Sequence, residues 1–451
     1  MSKQAEVWLS TIDQQQKLQR QEPIPITERP SVPEAADRIQ IDPRTTYQEM
    51  DGFGASFTDA SAYLIYRVLD EEARAKVMKR LFDPAEGIGI CFIRQVMGAS
   101  DYTTRIYSYD DMPEGEEDFE LKHFSIDHDR EYIIPAVREA LRINPAIKVM
   151  ASPWSAPGWM KTSGHMITGK LRPECYGAYA QYFVKFVQAY EAAGIPIYAV
   201  SIQNEPGYEP KEYPGMLMTG AEEAEFIRDH LGPAFNAAGI TAKILCYDHN
   251  WDVPQHPLTV LADPEAARYV AGVAWHVYGG EHEAMSQVKE AHPDKDAWFT
   301  EASGGSWIPP FRTAFLDQMK HVIRTTRNWS KTVVWWNLAL DEHNGPTVLS
   351  NSTCRGLVQV SQAEKTVEYE LDYYTMGHIS KFVKPGAYRI ASTTARDELE
   401  STAFRNPDGS VVLILSSRTE DERTVQVDTG GGYVTLTLPG EAAATVTWMY
   451  V

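Results

Sequence analysis

YGAYAQYFVKFVQAYEAAG (residues 176–194), followed by IPIYAVSIQNEP (residues 195–206), holds one complete structural unit. In the first segment Tyr179, Phe183, Phe186 and Val187 recur at helical spacing, and Gly194 supplies a stop. In the second, Ile197 to Gln203 is rich in β-branched and aromatic residues and ends on the polar Asn204-Glu205-Pro206. A helix, a short turn and a strand follow one another, and a carboxylate sits where the strand ends. The next helical pattern, Ala221 to Ala238, stops in the same way at Gly239.

Working outward, the unit repeats. Eight β-rich runs alternate with helical patterns: Tyr47 to Phe57, Gly89 to Met97, Ile147 to Ser152, Ile197 to Gln203, Lys243 to Tyr247, Val273 to His276, Ala297 to Thr300 and Thr332 to Leu338. Eight strand–helix alternations predict a (β/α)₈ barrel over residues 47–383. A doubly wound sheet is the competing α/β arrangement. Its phosphate-binding fingerprint is missing, because Gly52-Phe53-Gly54 lacks the third glycine. After about residue 383 the runs become short and alternating, broken by Asn406-Pro407-Asp408-Gly409 and Gly430-Gly431-Gly432. Residues 384–451 therefore read as an antiparallel β-sandwich. Residues 1–46 are too short for a domain. Their alternating Arg38-Ile39-Gln40-Ile41 predicts a strand added to that sandwich, which would then be built from both chain ends.

Composition narrows the partners. The chain has 451 residues, 43% hydrophobic and 11% aromatic, which suits a packed globular protein. A formal charge of −20 repels phosphate backbones, so nucleic acid is not expected as a partner. No run reaches the roughly 18 apolar residues of a spanning helix, and none of signal-peptide length follows Met1, so the expected location is cytoplasmic. Cys91, Cys175, Cys246 and Cys354 are scattered and read as small core residues, not as a zinc ribbon or disulfide framework. Without a secretory signal the Asn-x-Ser/Thr matches at Asn328 and Asn351 carry little meaning.

In a barrel the chemistry lies just past the C-terminal strand ends. Here those ends offer Arg94 and Asp101, Ser152 to Trp159, Asn204-Glu205-Pro206, Asp248-His249, His276 and Tyr278, Glu301, and Trp336-Asn337. Glu205 and Glu301 follow strands four and seven, which lie on roughly opposing sides of the mouth. Glycoside hydrolysis needs such a pair: one carboxylic acid protonates the leaving oxygen, and the other carboxylate attacks the anomeric carbon or helps water do so. Trp154, Trp159, Trp275, Trp335 and Trp336 offer apolar faces for sugar rings, and Asn204, Asp101 and Asn351 offer hydrogen-bond partners. Each residue alone has a plainer reading, as a capping carboxylate, a core tryptophan or a satisfied buried histidine; the joint pattern carries the inference. No G-x-S-x-G occurs, which argues against a serine hydrolase. No close ligand spacing joins Asp248, His249 and His276, so no metal is expected.

At these residues the chain resembles glycoside hydrolase family 30 of clan A, whose members include lysosomal glucosylceramidases and bacterial β-glucosidases. The resemblance spans nearly the whole chain. It rests on Asp51-Gly52-Phe53-Gly54-Ala55-Ser56-Phe57-Thr58-Asp59-Ala60, on Ala151 to Thr162, on Tyr182-Phe183-Val184-Lys185-Phe186, and on Asn204-Glu205-Pro206. Trp336-Asn337-Leu338-Ala339-Leu340 and Met376-Gly377-His378-Ile379-Ser380-Lys381-Phe382 complete it. The resemblance implies a barrel with an attached sandwich and a double displacement without cofactor, Glu205 acting as acid/base and Glu301 as nucleophile. By matched position the sugar pocket would use Asp101, Trp154, Asn204, Tyr278, Trp336 and Asn351, with Arg94 close to the nucleophile. Unlike the lysosomal relatives, this chain shows no signal peptide and no N-terminal disulfides, so membrane docking does not carry over.

The expectation is a retaining, exo-acting β-glucosidase of the glucosylceramidase type, acting on a carbohydrate or glycolipid. Endo-β-1,6-glucanase, β-xylosidase and β-fucosidase are its rivals within the family, and an inactive carbohydrate-binding protein is the rival outside it. The aglycone and the oligomeric state stay open.

Overall fold

The structure, a computed structural model, describes residues 4–30, 36–308 and 311–450. The segment expected over 1–46 is therefore seen through 4–30 and 36–46, residues 1–3 and 31–35 lying outside the description.

Eight parallel strands close into a barrel: β1 (Gly52–Phe57), β2 (Phe92–Met97), β3 (Lys148–Pro153), β4 (Ile197–Ser201), β5 (Lys243–Asn250), β6 (Val270–His276), β7 (Asp296–Glu301) and β8 (Ser330–Asn337). β1 and β2 are buried at every position, as strands covered on both faces require. Phe92, Met150, Ala199, Leu245, Ala274, Trp298 and Val334, one from each of β2 to β8, form a separate cluster that fills the barrel interior. The eighth place falls to Gly54, which pairs with Phe92 on one side and Val334 on the other. A Cβ there would lie 2.0 Å from the Phe92 carbonyl oxygen. The barrel mouth is open at the C-terminal strand ends, while Asp51 closes the other end by accepting from Lys148 Nζ, the Tyr198 hydroxyl and Trp298 Nε1.

Outside the strands, helix Tyr176–Ala192 buries Tyr179, Tyr182, Phe183, Phe186 and Val187 against the barrel, and the chain leaves it through Gly194 at φ 82°. The predicted unit over 176–206 is thus realised.

The second layer is a folded-over, mainly antiparallel sheet. Its middle strands come from the C-terminal region, in the order Ala442–Met449, Ser410–Ser417, Leu399–Arg405, Tyr388–Ser392. Gln4–Thr11 pairs with Ala442–Met449 at one side, and Asp37–Glu49 pairs with Tyr388–Ser392 at the other. Both chain ends therefore build this sandwich. Ile39, Ile41, Leu413, Leu415, Val425 and Val446 share its core. His378, in helix Leu371–Ser380, ties it to the barrel by bonds to Ser10 Oγ at 2.8 Å and Thr445 Oγ1 at 2.9 Å.

Two details depart from the sequence reading. The first barrel run was expected from Tyr47, but residues 47–49 finish the long sandwich strand, with Glu49 opposite Tyr388, and β1 starts at Gly52. The alternation of the strand breaks at residues 44–47, all exposed, yet the strand runs on to Glu49, so the polar stretch does not mark where the chain changes sheets. A small sheet of Ala339–Asp341, Val358–Val360 and Val367–Tyr369 also follows β8, unannounced by sequence because its strands are three residues long.

Gly54→Ala should cost about 1–3 kcal/mol or more, because the added methyl meets backbone and not a movable side chain. Chemical denaturation of the purified variant checks this; an unchanged midpoint would show that the barrel interior has slack at that level.

Candidate active site

The mouth of the barrel holds one connected network. Its centre is Arg94, on β2, which is fully buried. Nη1 donates to Glu301 Oε2 at 2.5 Å, and Nη2 donates to Asp248 Oδ2 at 2.7 Å and to Asn204 Oδ1 at 2.8 Å. The guanidinium also lies 4.8 Å from the Trp154 ring centroid and 5.6 Å from that of Trp336. Glu301, the last residue of β7, takes a second bond from the Tyr278 hydroxyl at 2.9 Å. Asp248 accepts in addition from Ser152, Ser201, Thr300 and His276, so both its oxygens are saturated.

His276, fully buried at the end of β6, links the acids. Nε2 is 3.0 Å from Asp248 Oδ1, and Nδ1 is 3.2 Å from Glu205 Oε1 and 3.8 Å from Glu301 Oε1. One oxygen each of Glu205 and Glu301, together with a His276 nitrogen, lie within 4.8 Å of one another. The retaining arrangement uses carboxyl groups about 5–5.5 Å apart, whereas inversion needs about 6.5–9.5 Å to admit a water between them. One oxygen of each carboxyl within 4.8 Å of the other is compatible with the short arrangement.

The backbone that delivers these groups is strained. Glu205 (φ 50°) and Asp248 (φ 56°) both occupy the left-handed region, and the Glu205 N–H donates to the Asp248 carbonyl at 3.0 Å. Such a conformation in a residue with a Cβ costs of order 1–3 kcal/mol and persists only where the surroundings impose it. The turn closes with the Tyr208 N–H on the Glu205 carbonyl at 2.9 Å.

Charge is distributed unevenly among the acids. Burial alone would lower the His276 pKa, but the charges of Glu301 and Asp248 outweigh it and hold the imidazole at about 9. For Asp248, burial is overcome by Arg94 and His276, which keep its carboxyl far below the usual range. Glu205 moves the other way: burial raises it, the Glu301 charge adds to that, and His276 and Arg94 oppose without cancelling. Burial, with the Glu301 charge behind it, also pushes Asp101 up to about 8. Two cations thus meet two anions, while Glu205 and Asp101 are held toward their neutral forms.

A cleft of about 350 Å³ opens onto this network. Asp101, Trp154, Asn204, Tyr278 and Trp336 line it as the sequence suggested, with Glu205 and Glu301; Arg94 lies beneath. Trp154 and Trp336 stack at 4.8 Å. Asn351 is not brought in: it is exposed, and its loop is turned so that Ser352 bonds the Tyr102 hydroxyl while Cys354 faces the cleft. Trp159 and Trp275, offered as sugar platforms, are core residues, Trp159 donating to Asp110; Trp335 lines a neighbouring cavity. Conversely, Tyr208, Tyr213, Ser303 and Trp307 line the cleft without having been singled out. The aromatics among them stand a few positions after Glu205 and Glu301, a signal the sequence did contain.

Glu205, His276 and Glu301 are close enough to hold a cation. The donor chemistry does not suit one, since His276 has both nitrogens engaged and its imidazole is held protonated. Chelator treatment should leave activity unchanged, and restoration of chelated enzyme by a divalent ion would contradict this. His276 also makes stability depend on pH. Its folded pKa of about 9 exceeds the unfolded value of about 6.5, so its contribution is complete below about 6.5 and is lost as pH rises through about 9. The unfolding midpoint should fall across that window, and His276→Gln should flatten the fall.

Comparison with known proteins agrees with this geometry. The TIM-barrel domain of glycosyl hydrolase family 30 matches residues 50–383, and the β-sandwich domain of the same family matches residues 386–446. The chain is 33% identical over 416 residues to an endo-1,6-β-D-glucanase of Neurospora crassa, covering 88% of this chain and 85% of that one. It is 32% identical over 436 residues to a putative glucosylceramidase of Caenorhabditis elegans, covering 90% and 82%. A solved endo-β1,6-glucanase superposes with a TM-score of 0.92 at 32% identity, over 99% of this chain and 100% of that one. The chain belongs to glycosyl hydrolase family 30.

Proposed function

We propose that this glycoside hydrolase cleaves β-glucosidic bonds with retention of configuration, Glu301 acting as nucleophile and Glu205 as acid/base. The observation that carries the reading is the approach of the two carboxylates, one oxygen of each lying within 4.8 Å of the other. In the first step Glu301, oriented by Arg94 and Tyr278, attacks the anomeric carbon, and Glu205 gives its proton to the leaving oxygen. The carboxylate charge of Glu301 is then consumed in the ester. That charge is one of the causes that raise Glu205, so its loss eases ionisation of Glu205, which becomes the base that activates water.

For the substrate, a β-1,6-linked glucan is the first reading. The Neurospora relative and the superposed structure carry that activity in their names, and the half-exposed rings of Tyr208 and Trp307 at the cleft offer stacking faces for further sugars. The glucosylceramidase-type reading has the C. elegans relative in its favour. Against an acyl chain stands the cavity beside Trp307, where Glu281, Asp317, Lys320 and Arg355 share the lining with apolar residues such as Trp251 and Ile308, so that a lipid there would lie against charge. Assays on β-1,6-glucan, gentiobiose, glucosylceramide and aryl β-glucosides separate these. Oligosaccharide release from the glucan supports the first reading, and turnover of glucosylceramide alone overturns it.

The two glutamates have distinguishable roles. Glu301→Gln should abolish turnover of every substrate. Glu205→Ala should keep the first step on an aryl glycoside with a good leaving group, accumulate glycosyl-enzyme, and lose about 10²–10⁴-fold in turnover. Azide should restore that turnover and yield a β-glycosyl azide. An α-azide from Glu205→Ala, or β-azide rescue of Glu301→Ala, would reverse the assignment.

A further inference from the structure

Arg324 of helix Phe311–Arg327 meets a carboxylate, that of Glu400, and so does Arg396 of the sandwich, with Asp37. Two other arginines on the barrel–sandwich seam do not. Arg327, the last residue of that helix, gives its nitrogens to neutral acceptors only: Ser401 O at 2.8 Å, Ser392 Oγ at 3.1 Å, and Ser392 O and Thr394 Oγ1 at 3.2 Å. Arg389, on strand Tyr388–Ser392, is 7% exposed. Its guanidinium lies 3.7 Å over the Tyr47 ring, and Nε donates to Gln48 Oε1 at 3.1 Å. Among the described residues no acceptor meets its terminal nitrogens. The charged groups nearby are already engaged: Glu400 is held by Arg324 and Arg418.

Both guanidiniums line a cavity of about 560 Å³ that shares no residue with the catalytic cleft. Arg44 stands at its rim with Asp42 and Asp428. Asp42 is taken up by Arg44 and Thr45, and Asp428 Oδ1 accepts from the Gly430 N–H at 3.0 Å. Stacking on Tyr47, with the Trp329 ring centroid 5.8 Å away, accounts for the place of the Arg389 guanidinium but leaves its terminal donors unmet. Burial, and behind it the charge of Arg327, lower the Arg389 pKa to about 10, which leaves it charged at neutral pH. An apolar side chain would fill the space without that penalty. A guanidinium fork with free donors, facing an open cavity beside a second guanidinium, is the arrangement that binds an oxyanion.

We propose that this seam cavity binds a phosphate group, gripped by the unmet terminal nitrogens of Arg389, with the charge of Arg327 beside it and Arg44 at the rim. The phosphate chemistry is common to inorganic phosphate, a sugar phosphate and an anionic lipid headgroup, and the test distinguishes these sources. The site is independent of the glycosidase reading, and either can fail alone.

The test uses the full chain. Calorimetric titration with inorganic phosphate, against chloride at equal ionic strength, should show saturable binding of one equivalent and a raised unfolding midpoint. Arg389→Lys, which keeps the charge but loses the fork, should weaken binding by about tenfold, the loss of one charge-assisted bond. Arg44→Glu changes an exposed side chain and should weaken it several-fold without disturbing the fold. Aryl glycoside turnover should be unchanged in both and serves as the folding control. Titration with glucose 6-phosphate and with vesicles containing phosphatidic acid assigns the source, by whichever binds more tightly than phosphate and loses affinity in the same variants. Absence of saturable binding by all three probes, or binding unaltered in both variants, overturns the proposal.

Discussion

The ion pair between Arg94 and Glu301 is the constraint on which the site depends. A guanidinium with no exposed surface is tolerable only if carboxylates compensate it, and here two do, Glu301 and Asp248. Removing one partner of such a pair costs roughly 3–5 kcal/mol, because the remaining charge stays buried. Both strands β5 and β7 must therefore present their carboxylates in register with β2. The strained backbone at Asp248 and the saturation of its oxygens by Ser152, Ser201, Thr300 and His276 follow from that demand.

The same bookkeeping explains why two glutamates of equal chemistry behave differently. Arg94 and His276 supply two positive charges; Asp248 and Glu301 supply two negative ones. A third anion at Glu205 would be uncompensated, and burial raises its pKa accordingly. Glu301, by contrast, has Arg94 and Tyr278 as direct donors. In the proposed mechanism, acid and nucleophile would thus be separated by which neighbours reach them, not by the residue type.

Among the described residues, none of the sandwich lines the catalytic cleft. Its strands come from both chain ends, and helix Phe311–Arg327 packs between the layers. The helix starts among residues of the cavity beside Trp307 and ends at Arg327 on the seam. Its C-terminal turn is a favourable place for a cation because the carbonyls there are partly negative. That accounts for one arginine on the seam; Arg389, which comes from a strand, has no such explanation.

The periodicity of the sequence determined the architecture, because eight alternations of β-rich and helical runs leave few closed solutions and a strand buried on both faces must be apolar throughout. It also placed Glu205 and Glu301 at strand ends, where a barrel gathers its chemistry, and the ordered motifs pointed to the family. Tertiary structure decided the rest. Which tryptophans face the cleft depends on strand tilt and loop direction, so Trp154 and Trp336 line it while Trp159 and Trp275 sit in the core. Asn351 lies outside because its loop is fixed from a distance by Tyr102, a contact between residues far apart in the chain. Likewise, the protonation order among Glu205, His276, Asp248 and Asp101 arises from distances across five strands and their loops, and no local pattern encodes a distance between residues that the chain itself separates.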